Sequence, residues 1–538
     1  MRTPTRHGDG EGSTDREGID MRACPVRRGI GRGRLEERNG QSGETRAGRG
    51  SSLDGVDTDA GSARESERGV GPLRPGNSGG GKAPRFRRAF EDEKERRLAM
   101  SLETPDKIRT LQRKLYVKAK AEPAFRFYLL HDKICRSDIL AHAYALARSN
   151  AGAAGVDEAT FEDIERAGLE AWLEALREDL VSMRYRPEPV RRVRIPKPGG
   201  GERPLGIPTI RDRVAQTAAK LVLEPIFEAE LDDSAYGYRP KRSAGDAIAT
   251  THRLIRRGYV DVVDADLSKY FDTIPHSDLL RSVARRIVDR KMLRLIKLWL
   301  SAPVEERDGD GRRRRTGGKS SRRGTPQGGV ISPLLANLYM NRFLKHWRMS
   351  RQGYKLKAHV VAYADDFVIL SRGHAAEALA WTRAVMTRLG LSINEAKTSL
   401  KDAGADGFDF LGYTFGPRYG RKGERYLGAR PSAKSLRRIK GKISDLLKPG
   451  NMGAWPQVRG RLNRLLGGWS AYFGYGTLNA AYRSVDRHVC DRVRRFLNRR
   501  SKGDGRGARV YPWSEIFGKL GVRRLTRHPP ATPAVSLT

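Results

Sequence analysis

The chain has 538 residues, with 104 Lys and Arg against 63 Asp and Glu, a formal net charge of +41. That length exceeds one compact core and predicts about three to four domains, while the charge makes a polyanion, nucleic acid first, the expected partner. Cys24, Cys135 and Cys490 stand far apart with no CxxC, which excludes a disulfide framework and a cysteine-rich zinc module. No run of 18 apolar residues occurs and no apolar segment follows Met1; the expectation is a cytoplasmic protein without a membrane partner.

Residues 1–99 carry 21 basic and 17 acidic residues among many glycines. Such a segment buries too little apolar surface to offset chain entropy, so it is expected to be a disordered arm. Gly76 to Lys82 imitates a phosphate-binding loop, but Ala83 stands where the magnesium-binding hydroxyl belongs and no strand precedes it. Met100 is a candidate alternative start. Helical pattern is expected from Leu111 to Arg148 and from Thr160 to Met183, the latter with Phe161, Ile164, Leu169, Trp172, Leu176 and Leu180 near one face. From Val190 the period becomes two. A basic hairpin is expected there, turning at Lys197-Pro198-Gly199-Gly200 and returning through Arg203 to Pro208. Its residues alone favour an ordinary basic hairpin over a polyphosphate clamp.

Two later segments carry the chemistry. In Val262-Val263-Asp264-Ala265-Asp266 strand alternation puts Asp264 and Asp266 on one face and Val263 and Ala265 on the other. The second segment, from Ala358 to Leu370, has two β-prone arms flanking Ala364-Asp365-Asp366, which reads as a hairpin with acids at its bend. Carboxylates between apolar arms are costly unless positive charge sits beside them. Oxygen-bound divalent metal would supply it, and a pair of such ions can stabilise both attacking and leaving oxygens of a phosphoryl displacement. Solvated turn acids are the bland alternative; two such motifs in one basic chain make it the weaker one.

Tyr363-Ala364-Asp365-Asp366 resembles the YxDD box of reverse transcriptases, and Asp266 to Asp272 resembles their first aspartate motif. Thr325-Pro326-Gln327-Gly328-Gly329 lies between them, and the Pro196–Pro208 segment precedes them in the family order. Together the four motifs resemble a group II intron-encoded protein, a reverse transcriptase and maturase, over residues 105 to 525. The resemblance implies an α+β right-hand polymerase. Its fingers and palm would occupy 100–415, and a basic α-helical thumb, or maturase domain, 416–538. It implies catalytic, metal-binding roles for Asp266, Asp365 and Asp366, with two Mg2+ ions; Asp264 has no counterpart. Lys197 and Arg203 match cations that grip the triphosphate, which reverses the bland reading of the hairpin. Phe271 matches the residue that crowds a ribonucleotide 2′-hydroxyl, Gln327 the one against the incoming nucleotide, and Lys397 a lysine near the leaving pyrophosphate. The implied partners are a group II intron RNA, an RNA template with a DNA primer, deoxynucleoside triphosphates and a DNA target.

The last 123 residues hold 28 basic and 6 acidic side chains. Helices are expected over 433–448, 455–476 and 479–502, with Arg494, Arg495, Arg499 and Arg500 as candidate RNA contacts. Leu466 to Phe473 resembles the family's GWxxYF signature; Trp469, Tyr472 and Phe473 at helical spacing are expected in the core more than against bases. Many relatives continue into an HNH nuclease, and none is expected after Val522, so mobility would need a primer from elsewhere and a nucleoid location during DNA synthesis. A retron-type reverse transcriptase and an RNA-binding splicing cofactor with a silent palm are the competing readings.

Overall fold

The computed structural model describes residues 102–196, 201–307, 312–318, 320–420, 422–500 and 510–526. The arm, the Gly76–Ala83 segment, Met100 and Lys197 lie outside them. Cys135 and Cys490 are buried free thiols, and no described helix is long and apolar enough to cross a membrane.

The first expected helix is in fact three: Asp106–Ala121, His131–Ile134 and Ser137–Ser149. The break has a local cause. Pro123 offers no N–H to a helix, and the chain behind it bonds across to another element: Phe127 N–H donates to the Arg286 carbonyl and Val288 N–H to that of Phe127. Helix Phe161–Val181 starts at a capping box between Thr160 and Asp163, and Gly168, at φ 106°, interrupts its geometry.

Strands β1 (Val190–Pro196) and β2 (Glu202–Ile207) form the expected hairpin, paired from Arg191 with Ile207 to Pro196 with Glu202. After β3 (Asp261–Ala265), strands β4 (Pro303–Arg307) and β5 (Arg313–Gly317) extend that hairpin into a sheet of order β2-β1-β4-β5. The second sheet joins β6 (Ala358–Tyr363), β7 (Asp366–Ser371), β3 and β8 (Ser399–Asp402) in the order β6-β7-β3-β8, all antiparallel. Strands β6, β7 and β3 are buried on both faces, which is why they read as nearly unbroken apolar runs, whereas β8 is an exposed edge. Val263, Ala265, Phe367 and Ile369 enter the larger core, shared with helices Ile210–Glu228, Ser332–Met349 and Ala375–Arg388. Val262, Val361, Val368 and Leu370 enter a second core against Phe408, Phe410, Tyr413 and Phe415. Those four aromatics come from a three-stranded sheet of β9 (Phe408–Phe410), β10 (Tyr413–Tyr419) and β11 (Arg425–Pro431).

Helices Ala433–Leu446, Trp455–Tyr472 and Asn479–Arg500 enclose a third core of Ile439, Ile443, Leu462, Leu466, Val485, Val489, Val493 and Phe496. The second helix stops four residues short of expectation. Gly476, at φ 80°, turns the chain so tightly onto β11 that a Cβ there would lie 2.2 Å from the Ala429 carbonyl oxygen. The GWxxYF aromatics form the joint at this place. Phe473 is 8% exposed, its ring 5.1 Å from Tyr413 and 5.0 Å from Trp469, and Tyr472 Oη donates to the Leu411 carbonyl at 2.9 Å. Phe473 packs in the core as expected, Trp469 packs against it half-buried, and Tyr472 is 42% exposed.

Asp486, fully buried in helix Asn479–Arg500, holds the segment Leu525–Thr526 by accepting from Leu525 N–H, Thr526 N–H and Thr526 Oγ1 at 2.8–3.0 Å. Asp486→Ala leaves those donors unsatisfied and is expected to cost about 3 kcal/mol. Thermal unfolding and amide exchange at Leu525 and Thr526 measure it; unchanged protection there would contradict the role.

Candidate active site

The bend between β6 and β7 is the shortest hairpin connection. Tyr363 pairs with Asp366, leaving Ala364 and Asp365 as a two-residue turn with Ala364 at φ 61°. Such turns match strand twist when the first turn residue is left-handed, a conformation that strains any side chain. The neighbouring segment holds it in place. Tyr236 N–H donates to the Ala362 carbonyl at 2.8 Å, running this stretch beside β6, and Gly237 lies so close that a Cβ would meet Ala364 N at 2.5 Å. Asn337 Nδ2 donates to the Gly237 carbonyl at 2.6 Å. On its other side, Arg239 is buried, its guanidinium on the Glu228 carboxylate at 2.7 Å. Sequence reasoning missed this buttress; its signal was a glycine between two tyrosines followed by Arg239-Pro240.

Register then brings the acids together. Ala265 of β3 pairs with Phe367 of β7, so the next step along each strand sets Asp266 beside Asp366 although 100 positions separate them in the chain. Asp266 is clamped by the segment before β8: its N–H donates to Thr398 Oγ1 at 3.3 Å and its carbonyl accepts from Asn394 N–H at 2.8 Å. Its Oδ2 accepts from Asn394 Nδ2 at 3.0 Å and from Lys397 Nζ at 3.1 Å. Lys397 thus lies directly on a candidate catalytic carboxylate. Asn394 and Thr398, within the same nine residues that drew attention to Lys397, were missed.

The local field is that of negative charges short of a counter-ion. Asp366 is open to solvent at its tip but deep in the cleft; burial, then the Asp365 and Asp266 carboxylates, push its carboxyl up to about 6. Burial also raises Asp365, with Arg203 and Lys397 opposing the effect. Asp264, on the face shared with Val262, is pushed up to about 6 by burial and then by Asp366 and Asp409. Convergent carboxylates favour a shared cation or proton. Among the described residues no three acidic, His or Cys side chains close into a complete metal cage. Magnesium does not ask for one, since it keeps water and substrate phosphate among its ligands, and hard carboxylate oxygens are donors that suit it.

Across from the acids, Arg203 Nε donates to Gln327 Oε1 at 3.3 Å, and Gln327 Nε2 donates to both Asp272 carboxylate oxygens at 3.2 Å. Asp272 was missed, although it closes the first aspartate motif. The Gln327 loop meets β2 backbone to backbone. Gly206 N–H donates to the Gln327 carbonyl at 2.5 Å, and at Gly328, φ 110°, a Cβ would lie 2.1 Å from the Gly206 carbonyl oxygen. Phe271 is 7% exposed and packs in the larger core, while its carbonyl accepts from Thr325 N–H at 2.7 Å. The structure therefore brings Asp266, Asp365, Asp366, Lys397, Arg203 and Gln327 to one cleft and packs Phe271 in the larger core, bonded through its carbonyl to Thr325.

The four thumb arginines divide. Arg494 Nε donates to the Tyr511 carbonyl at 2.8 Å, and Arg500 donates to the carbonyls of Gly453 and Met452 at 2.7 and 3.3 Å. Both hold loops of their own domain. Arg495 and Arg499 are exposed, and neither bonds to another described residue.

An antiparallel sheet with acids at the bend of its β6–β7 hairpin, faced by a basic hairpin, is the architecture of a reverse transcriptase. Residues 195–415 match the family model described as reverse transcriptase (RNA-dependent DNA polymerase), and residues 436–511 that of the group II intron maturase-specific domain. The chain is 36% identical over 355 residues to Protein YkfC of Escherichia coli, covering 59% of this chain and 90% of that protein. It is 34% identical over 222 residues to the group II intron-encoded protein LtrA of Lactococcus lactis, covering 41% of this chain and 35% of LtrA. An uncharacterized 91 kDa protein in the cob intron of Schizosaccharomyces pombe is 30% identical over 218 residues, 40% of this chain and 25% of that protein. The chain belongs to the group II intron-encoded reverse transcriptase and maturase family.

Two outcomes test this geometry. Gly237→Val is expected to dislodge the Ala364–Asp365 turn, lowering primer extension at least tenfold while the melting temperature shifts little; wild-type extension would mean the contact is not needed. Asp264 has a second signature. Its carboxyl is held above its ordinary 3.8, near 6, so its folded form prefers the proton and stability falls as pH rises through that interval. Asp264→Asn should melt above wild type at pH 7 in the presence of chelator, the gap closing below pH 4. A gap that does not vary with pH would remove the carboxyl from that environment.

Proposed function

We propose that the protein is an RNA-directed DNA polymerase that also binds a group II intron RNA, assisting its splicing and its mobility into DNA. The observation that carries the polymerase reading is the convergence of Asp266, Asp365 and Asp366, set by the register of β3, β7 and the two-residue turn, opposite Arg203 and Gln327. The match over residues 436–511 favours a maturase over a retron-type enzyme.

In this reading Asp266, Asp365 and Asp366 would hold two Mg2+ ions, which would supply charge neutralisation for a phosphoryl transfer. The remaining work belongs to side chains. Arg203, with Lys197 as the second cation that the family resemblance implies, grips the triphosphate of a deoxynucleotide. The Gln327 amide lies against that nucleotide, oriented by Asp272. Lys397 bonds to Asp266 before substrate arrives and is placed to follow negative charge onto the departing pyrophosphate. Phe271, rigid in the core, fixes the floor under the sugar and excludes a 2′-hydroxyl by its bulk. RNA template and DNA primer are held by backbone and helix shape, as copying any sequence requires. Arg495 and Arg499, free of the bonds that occupy Arg494 and Arg500, are the stronger candidates for intron phosphates. Division of the chain near residue 415 separates these two activities.

Asp365→Ala with Asp366→Ala is expected to abolish primer extension on RNA and leave intron binding within about twofold. Extension at the wild-type rate would remove the polymerase reading. Arg495→Gln with Arg499→Gln is expected to weaken intron binding and flatten its salt dependence by about 0.7–0.9 in log–log slope for each phosphate that is no longer neutralised. Filter binding across salt concentrations checks it, and an unchanged slope places the intron surface elsewhere.

A further inference from the structure

One side chain in the segment that buttresses the Ala364–Asp365 turn has no hydrogen-bond partner of its own. Ala235 bridges Ala362 in parallel, so the two backbones advance together. Gly237 falls beside Ala364, where a Cβ would meet its nitrogen at 2.5 Å, and the next step sets Tyr238 beside Asp365. Tyr238 is fixed from both sides. Before it, Gly237 lies against the Ala364 backbone. After it, buried Arg239 donates to the carbonyls of Asp232 and Ala235 at 2.6 and 2.8 Å and to the Glu228 carboxylate. Between these anchors Tyr238 takes φ 53°, a left-handed conformation that a bulky residue adopts only where its surroundings impose it.

Held in this way, the side chain stays in the open. Tyr238 is 49% exposed, and its hydroxyl bonds to no described residue. Tyr236, two positions earlier, differs: it is half-buried, and its Oη donates to Thr250 Oγ1 at 3.0 Å. Burial and then the Asp365 carboxylate hold the Tyr238 hydroxyl above its ordinary value of 10, with Arg203 opposing them. The phenol is therefore a proton donor at neutral pH, and the charges that bear on it are those of the cleft, Asp365 and Arg203. A tyrosine turned away from the cleft would feel neither. A rigid ring with an unsatisfied donor thus stands at the carboxylate end of the site.

We propose that Tyr238 contacts the base pair at the primer terminus, its hydroxyl donating to the minor-groove acceptor of the terminal primer base. The inference rests on the polymerase reading, which takes Asp365 as a neighbour of the attacking primer 3′-hydroxyl. The sugars of a pair lie along its minor-groove edge, so a group beside that carboxylate faces this edge. Each base offers an acceptor there, N3 of a purine or O2 of a pyrimidine. One donor therefore serves every sequence. A mispaired terminus displaces the acceptor and leaves the donor without its partner. Tyr238 is in this way a specificity-determining residue that favours extension of correctly paired ends.

Single-atom changes make the test specific. The full chain extends primers on an RNA template under single-turnover conditions. The primer ends in guanine, in 3-deazaguanine, which lacks the minor-groove nitrogen, or in 7-deazaguanine, which lacks a major-groove nitrogen instead. The wild-type chain is expected to extend the 3-deaza end about threefold to tenfold more slowly than guanine, the worth of one hydrogen bond. The 7-deaza end should run at the guanine rate. Tyr238→Phe keeps the ring; it should lose the same factor on guanine and nothing further on 3-deazaguanine, because both changes delete one contact. On a mismatched terminus Tyr238→Phe should match wild type, so discrimination against mismatches falls by that factor. An equal loss for Tyr238→Phe on guanine, 3-deazaguanine and mismatched ends is what a merely structural role gives, and it overturns the proposal. So does a wild-type chain indifferent to 3-deazaguanine, or a Tyr238→Phe chain that loses nothing. A wild-type chain that binds primer–template but extends no primer at all removes the polymerase reading, and this inference with it.

Discussion

The site depends on one electrostatic constraint. Three carboxylates are brought to one place by backbone pairing, and such an arrangement is unfavourable until positive charge joins it. Rigid elements impose the convergence: β3 and β7 lie in the middle of a sheet and are buried on both faces, and the strained turn at Ala364 is held by Gly237 from behind. The repulsion is partly relieved within the chain. Lys397 and Asn394 bond to Asp266, and Arg203 opposes the charge on Asp365 and Asp366. What remains is a cleft of close carboxylates with Arg203 and Lys397 beside them.

Glycines set how closely the two sheets approach. Gly206 and Gly328 let the Gln327 loop touch β2 without side chains between them, and this joins the β1–β2 hairpin to the helix Ser332–Met349. Gly324, at φ 92°, does the same beside Asp272, where a Cβ would lie 3.0 Å from the Asp272 carbonyl oxygen. Each of these is a place where backbone, not side chain, is the contact surface. A larger residue would shift Arg203 and Gln327 away from the carboxylates they face.

The C-terminal helices are coupled to this machinery through aromatics rather than charge. Tyr472 and Phe473 pack onto Tyr413 of β10 and Trp469 onto Phe473, and His252 Nδ1 and Tyr475 Oη share a hydrogen bond at 2.7 Å. Most of the domain's arginines therefore remain at its periphery, where two of the four singled out are used to fasten loops and two face solvent. The C-terminal helices thus meet the rest of the chain through an apolar joint and carry a basic exterior.

Much of this was legible in the sequence because it depends on local pattern. Period-two alternation gave the strands bearing Asp266 and Asp366, glycine and proline spacing gave the β1–β2 hairpin, and helical periodicity gave the C-terminal module; the four motifs resembled one family in the right order. What could not be read was whatever long-range register decides. That Asp266 meets Asp366, that Asn394 and Thr398 clamp Asp266, that Gly237 supports Ala364, and that Asp272 orients Gln327 all follow from pairings between residues 55 to 132 positions apart. The division of the thumb arginines is of the same kind, because Arg494 and Arg500 differ from Arg495 and Arg499 only in which loop happens to lie within reach. Sequence determined which groups carry the chemistry; tertiary structure decided which of them share a field, since Coulomb and hydrogen-bond energies depend on separation in space and not along the chain.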